Sequence, residues 1–158
     1  MTKAGGMGDK NQMRVMGLDI GSQTIGVALS DELGITAQGL KTIRRSSAEK
    51  DFRELSDIAD QYGVSKVVIG LPKNMDGTIG KQAEMIFKWI KAFREKSQLP
   101  VIVWDERLST VAASKILLEA DLSRRKRKQV IDRLAAALIL QGYLDQMRNR
   151  NNEPSPSS

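Results

Sequence analysis

The sequence predicts an α/β domain built on a mixed five-stranded sheet with helices packed on both faces. Two observations lead there: three short β-rich runs follow one another at the start, and two apolar strands then alternate with amphipathic helical stretches. A third is that no proline falls between Val101 and Glu153, which leaves the C-terminal third helical.

Taken in order, Arg14 to Ile20 (RVMGLDI) and Thr24 to Ser30 (TIGVALS) are strands joined by Gly21-Ser22-Gln23, a hairpin with a glycine-containing loop. A third extended run, Ile35 to Ile43, follows the Asp31–Gly34 turn and completes an antiparallel meander. Ser46-x-x-Glu49 has the form of a capping box. Behind it Ala48, Phe52, Leu55, Ala59 and Tyr62 recur at helical spacing until Gly63 stops the pattern. Lys66 to Leu71 reads as a buried strand ended by Pro72 and a polar turn. A second helix runs from about Gly80 to Lys96, with Ile86, Trp89, Ile90 and Phe93 facing inward, and Val101 to Trp104 forms the last strand. Two helical segments complete the chain, one from about Thr110 to Ala120 and a longer one from about Lys128 to Met147. Strand-helix-strand units cross over right-handed, so the first, fourth and fifth strands are expected to be parallel neighbours, with the hairpin strands along one edge.

The 158 residues bound the chemistry as well as the fold. A domain of this length buries roughly two-thirds of the surface of its unfolded chain, so it needs no covalent staples. Cysteine is absent, which excludes disulfides, thiol nucleophiles and thiolate zinc. Histidine is absent too, which removes Ser-His-Asp and Cys-His mechanisms and the usual near-neutral proton shuttle. Acid-base or metal chemistry then falls to carboxylates, Lys, Tyr or bound water. No stretch has the length of a membrane span or the apolar core of a secretory signal, and the expected address is the cytoplasm. Residues 1–12 and 149–158 are polar and aperiodic, and are expected to be a disordered extension and a disordered tail around a domain at 13–148.

Charge is local. There are 25 basic and 19 acidic residues, and Arg124-Arg125-Lys126-Arg127-Lys128 form one uninterrupted run; without those five the balance is 20 against 19. Such a focus points to an anionic partner, most often nucleic acid. Aromatics make up only 4% of the chain, too few for a base-stacking platform, so contacts to the phosphate backbone should dominate.

In sheets of this kind function gathers beyond the carboxyl ends of the parallel strands. That places Asp19-Ile20-Gly21, the turn from Leu71 to Gly77 and Asp105-Glu106-Arg107 at one pole. Each segment carries a carboxylate at the end of an apolar strand, where an acid costs free energy unless donors or a cation compensate it. Asp132 joins them from the last helix, with Ile131, Leu134, Ala135 and Leu138 expected to face inward and Asp132 at the edge of that stripe. Blander roles exist for each acid: turn amides for Asp19, helix entry at Ser109 or Thr110 for Glu106, and dipole compensation for Asp132. Three acids gathered without His or Cys repel one another, and a hard divalent cation with oxygen ligands, Mg²⁺ or Mn²⁺, is the economical remedy. Two such ions about 4 Å apart can hydrolyse a phosphodiester with no histidine.

The residues Asp19-Ile20-Gly21 with Gly26-Val27-Ala28, then Gly70-Leu71-Pro72-Lys73-Asn74-Met75-Asp76-Gly77-Thr78, Asp105-Glu106-Arg107-Leu108-Ser109-Thr110 and Asp132-Arg133-Leu134-Ala135-Ala136 resemble the successive signatures of the YqgF family. Its members carry the names pre-16S ribosomal RNA nuclease and, earlier, Holliday junction resolvase. The resemblance covers nearly all of residues 13–148. It implies a ribonuclease H-like fold and a metal-dependent endonuclease in the bacterial cytoplasm, acting on an rRNA precursor, in the setting of ribosomal particles, or on branched DNA. No heptad or apolar patch in the sequence decides between a monomer and a homodimer. The resemblance also implies that Asp19 bridges the metals, with Glu106 and Asp132 as outer ligands; Asp105, adjacent to Glu106, is expected to stand behind the ligands rather than among them. Lys73 stands where relatives are often apolar. The turn from Lys73 to Thr78 is either structural, with Gly77 in a backbone region other residues avoid, or a phosphate cradle. Arg107 either pairs with Asp105 or Glu106 or clamps phosphate, and the run from Arg124 to Lys128 is expected to contact nucleic acid.

Two other functions fit part of this pattern. One is a nucleic-acid-binding module that keeps the acids for structure. The other follows from Asp19-Ile20-Gly21 and Gly26, which also resemble the first phosphate loop of actin-like ATPases and sugar kinases, enzymes that need a second domain to close the nucleotide cleft.

Overall fold

The computed structural model describes residues 14–72, 76–108 and 124–152. Strands β1 (Arg14–Ile20), β2 (Thr24–Ser30) and β3 (Ala37–Arg44) precede helix α1 (Ala48–Tyr62) and strand β4 (Val64–Leu71). Helix α2 (Lys81–Ser97), strand β5 (Val101–Asp105), a 3₁₀ turn (Glu106–Leu108) and helix α3 (Arg124–Asn152) follow. The sheet order is β3-β2-β1-β4-β5, with β1 antiparallel to β2, β2 antiparallel to β3, and β1, β4 and β5 parallel. The predicted mixed sheet and its edge hairpin are therefore present. The expected helix between Thr110 and Ala120 and the extension at 1–12 lie outside the described residues.

Two cores sandwich the sheet. On one face Met16, Leu18, Ile25, Val27, Val67 and Ile69 pack under α1 and α2, where Phe52, Trp89 and Phe93 meet edge-on or stacked with ring centroids 5.0–5.6 Å apart. On the other face Val15, Ala28, Val68 and Trp104 pack under α3 through Ala135, Ala136, Ile139, Leu140 and Tyr143. Alternation along β1 decides the division: even-numbered residues turn to one core, odd-numbered ones to the other.

The boundaries differ from expectation in instructive places. The cap of α1 is Ser47, whose hydroxyl accepts the Lys50 amide, rather than Ser46. Ser46 lies before the helix, where its amide donates to Asp51. Gly63 ends the helix in the left-handed region at φ 67°, as expected for a glycine stop. Helix α3 runs on through residues 149–152, into the stretch expected to be tail, because its polar residues continue an established helix at no nucleation cost. The basic run forms the first turns of the same helix.

The inward stripe of α3 also differs. Leu134 is 37% exposed, and the buried positions are Ile131, Ala135, Ala136, Ala137, Ile139, Leu140, Tyr143 and Leu144. The reason lies in the sheet. An added Cβ at Gly17 would meet Leu140 Cβ at 2.7 Å and the Ala136 carbonyl at 3.0 Å; one at Gly26 would lie 2.0 Å from the Asp132 carbonyl oxygen, and one at Gly39 would lie 3.1 Å from Arg133 Cβ. Glycines on three adjacent strands thus let the helix main chain lie on the sheet, and the ridge of Asp132, Ala136 and Leu140 turns inward in place of Leu134. At the far end Gln141 donates to the Ile35 carbonyl and accepts from the Ala37 amide, closing the start of edge strand β3. No helix among the described residues is long and apolar enough to cross a membrane.

Candidate active site

Asp19 is the penultimate residue of β1 and faces α3, as Val15 and Gly17 do on the same strand. Its partner across β2 is Gly26, which shares that face because directly paired residues do. On the other side Leu18 pairs with Ile69, so Asp19 lies beside Gly70 of β4. The carboxylate thus emerges between two glycines. The space over Gly26 holds the main chain of Asp132, and that over Gly70 holds Glu106, whose Cγ would lie 3.1 Å from an added Cβ, together with Ile139. The strand, the 3₁₀ turn and the last helix each bring one acid to the same face at the same end of the sheet.

Thr24, the first residue of β2, donates its hydroxyl to Asp132 Oδ2 at 2.5 Å. Asp19 and Asp132 are both half-buried. Among the described residues no three acidic side chains stand close enough, as placed, to hold a metal ion. The fold brings Glu106 and Asp132 to the same end of the same sheet face as Asp19 without closing the three into a ligand set. Their chemistry, hard anionic oxygens with no nitrogen or sulfur, fits a hard divalent cation.

Asp105 behaves differently. It pairs with Leu71, whose side chain lies in the α1–α2 core, so strand alternation sends it to the face opposite Asp19. There Arg107 grips it: Nε reaches both carboxylate oxygens at 3.1 Å, Nη2 reaches Oδ2 at 2.8 Å, and the Arg107 amide donates to Oδ1 at 2.9 Å. That hydrogen bonding raises the guanidinium pKa further above its ordinary value. The pair formed by Arg107 is therefore with Asp105, on the sheet face opposite Asp19. Arg107 also lies against the turn at Gly77, whose φ is 88°, the left-handed backbone expected there. Beside it the Thr78 hydroxyl and then the Thr78 amide hold the Asp76 carboxyl below the usual carboxylate range, with the Arg107 charge adding less.

Lys73 lies outside the described residues. Arg124, Arg125, Lys126, Arg127 and Lys128 have helical backbone just before Asp132, and their side chains lie outside the described set. Three residues at this pole were not singled out in the sequence. Thr24 touches Asp132. Arg44, paired with Thr24 at the end of β3, is exposed on the same face as the acids, and Arg45 donates to the Gly21 carbonyl at 2.6 Å. Strand register and the seating of α3 bring these residues to this pole, and both are set by contacts in space.

A mixed sheet in the order 3-2-1-4-5, helices on both faces and acids at the carboxyl end of the central strand define a ribonuclease H-like protein. Among solved structures, Thermus thermophilus RuvC in complex with a Holliday junction substrate has this fold, with TM-score 0.54 at 13% identity over 85% of this chain and 96% of RuvC. The chain belongs to the RuvX family, whose model, described as Holliday junction resolvase, matches residues 13–146. A protein of Desulforamulus reducens named "Putative pre-16S rRNA nuclease" is 59% identical over 133 residues, 84% of this chain and 97% of that protein. One of the same name from Clostridium tetani is 53% identical over 138 residues, covering 87% of this chain and all of that protein.

Proposed function

We propose that the chain is a divalent-metal-dependent endonuclease that hydrolyses phosphodiester bonds in structured nucleic acid, and that its substrate is the 5′ region of pre-16S rRNA. The observation that carries this is the setting of Asp19 between Gly26 and Gly70, with Asp132 over one glycine and Glu106 over the other. Asp19, Glu106 and Asp132 are the residues that would hold Mg²⁺ or Mn²⁺. Such an ion, when bound, polarises a phosphoryl oxygen and makes water a nucleophile near neutral pH.

The chain's own residues supply the rest. The acids hold negative charge in a half-buried pole, where it is repulsive to a phosphodiester until neutralised, so binding of the strand must come from cations at the rim. Arg107 beyond β5, Arg44 at the end of β3, the run from Arg124 to Lys128 and Lys73 are assigned that role. Their contacts go to phosphates and carry affinity more than sequence choice. The cytoplasm, with ribosomal precursor particles as the setting, follows from the RNA reading, which the names of the relatives favour. A second reading, resolution of four-way DNA junctions, is favoured by the description of the family model.

The test is a side-by-side cleavage assay on a ribosomal precursor RNA and a four-way DNA junction with Mg²⁺ or Mn²⁺. Asp19→Asn, Glu106→Gln and Asp132→Asn are each expected to abolish cutting while leaving the fold and nucleic-acid binding intact. Metal-dependent cleavage retained in all three variants overturns the site assignment. Salt-sensitive binding without any cutting by the unaltered protein identifies a binding module instead.

A further inference from the structure

We propose that Thr24 is a positioning residue for the acidic site: its hydroxyl fixes the Asp132 carboxylate for cation binding, and Arg45 and Asp51 fix the hairpin that carries Thr24. The inference rests on the reading of Asp132 as an ion ligand. A carboxylate on a helix turns freely about two torsions, and a site that must gather three of them loses that freedom on binding the ion. The Thr24 hydroxyl removes it beforehand. At 2.5 Å to Oδ2 the bond has the length of a charge-assisted O–H···O⁻ contact, and it takes one oxygen of the pair, leaving Oδ1 for the ion. Thr24 suits the task because its β-branched side chain is stiff at χ1 and sits at a strand end.

The hairpin beneath it is held from both sides. The Gly21 amide donates to the Thr24 carbonyl at 2.8 Å, closing the loop on the residue that bonds Asp132. The Arg45 amide donates to the Gln23 carbonyl at 2.8 Å, and Arg45 Nη1 donates to the Gly21 carbonyl at 2.6 Å. Behind Arg45 stands Asp51, 3% exposed, with Oδ1 accepting the Ser46 amide at 3.2 Å and Oδ2 3.9 Å from Arg45 Nε. A carboxylate so buried is costly unless it is compensated. Its neighbour here is the arginine that reaches the loop, so Asp51, Arg45, the turn at 21–23, Thr24 and Asp132 form one connected path into the site. Partners that orient a ligand in this way alter metal affinity or activity on the order of ten- to a hundredfold when removed.

The experiment compares Thr24→Val, which keeps the shape and loses the hydroxyl, with Thr24→Ser, which keeps the hydroxyl, and with Asp132→Asn. Mn²⁺ binding is measured on the full chain without nucleic acid, by electron paramagnetic resonance or calorimetry, and cleavage is followed against Mn²⁺ concentration. Melting curves check that each variant is folded, and Thr24→Ala replaces the valine variant if the latter is not. Thr24→Val is expected to weaken Mn²⁺ binding about tenfold and to raise the half-saturating Mn²⁺ for cleavage by the same factor, with Thr24→Ser restoring both. If Thr24→Val binds Mn²⁺ as the unaltered protein does while Asp132→Asn has lost binding and cleavage, the positioning role is overturned and the ligand assignment stands. If Asp132→Asn keeps both, the ligand assignment itself is wrong and the positioning role falls with it.

Discussion

Replacing Gly26 with alanine tests whether the helix main chain, seated on the sheet, sets the spacing of the acids. The new Cβ would stand 2.0 Å from the Asp132 carbonyl oxygen and 2.5 Å from its carbonyl carbon. Ordinary carbon–carbon contact lies at about 3.5–4.0 Å, so β2 and α3 must part by well over 1 Å at this point. The obstacle is backbone on both sides, which no rotamer change can relieve. Overpacking of this kind costs about 1–3 kcal/mol, which lowers the melting temperature of a domain this size by roughly 2–12 °C. Function should suffer more than stability, since a misplacement of about 1 Å can cost on the order of a hundredfold in rate. Gly17→Ala is the control: it meets Leu140 Cβ at 2.7 Å, two residues back along β1 from Asp19. Thermal melting and cleavage are measured on both variants under conditions where each is folded. The expected result is comparable destabilisation with a large loss of cleavage only in Gly26→Ala. Normal melting and normal cleavage by Gly26→Ala would refute the claim that this contact sets the site.

Three further outcomes are expected. Arg107→Ala should weaken binding of precursor RNA across sequences and reduce the slope of log affinity against log salt by about one, measured by filter binding or anisotropy; an unchanged slope assigns Arg107 a structural role beside Asp105 and no phosphate contact. Asp31 accepts the Thr36 and Ile35 amides, and the Thr36 bond above all holds its carboxyl below the ordinary range. Its folded pKa is thus depressed, so its contribution is complete above the unfolded value, about pH 4, and is lost as pH falls through the folded value; Asp31→Ala should lower stability at neutral pH and flatten the acid limb of melting temperature against pH. Ser47→Ala should cost about 1 kcal/mol in urea unfolding without changing cleavage, since the cap lies at the start of α1 and touches none of the acids.

Much of this architecture was legible in the order of residues because apolar alternation and helical spacing are local signals. The bounds of β1 and β2, the glycine stop at Gly63 and the inner face of α2 at Ile86, Trp89, Ile90 and Phe93 all follow from neighbours in the chain. The pole of the acids was legible too, since the carboxyl ends of parallel strands can be deduced from topology. What escaped depends on contacts between distant segments. Ser46 and Ser47 are chemically equivalent candidates for the cap, and the choice turns on Asp51 taking the Ser46 amide. Leu134 looks like a core residue by type and spacing, yet the glycines at 17, 26 and 39 draw a different ridge of α3 against the sheet. Thr24 lies 108 residues from Asp132 and carries no sign in the sequence that the two meet.

The clasp of Gln141 on β3 bears on how the molecule behaves in a crowd. An outermost strand with bare amides and carbonyls invites a second copy to add its own strand, the first step toward insoluble polymer. Here the Ala37 amide and the Ile35 carbonyl are already engaged by a side chain from α3. A chain that must accumulate on a polyanion, where local concentration is high, is thereby hindered from stacking onto its own kind at that end. Loss of the amide side chain should show first as turbidity at high protein concentration, before any loss of catalysis.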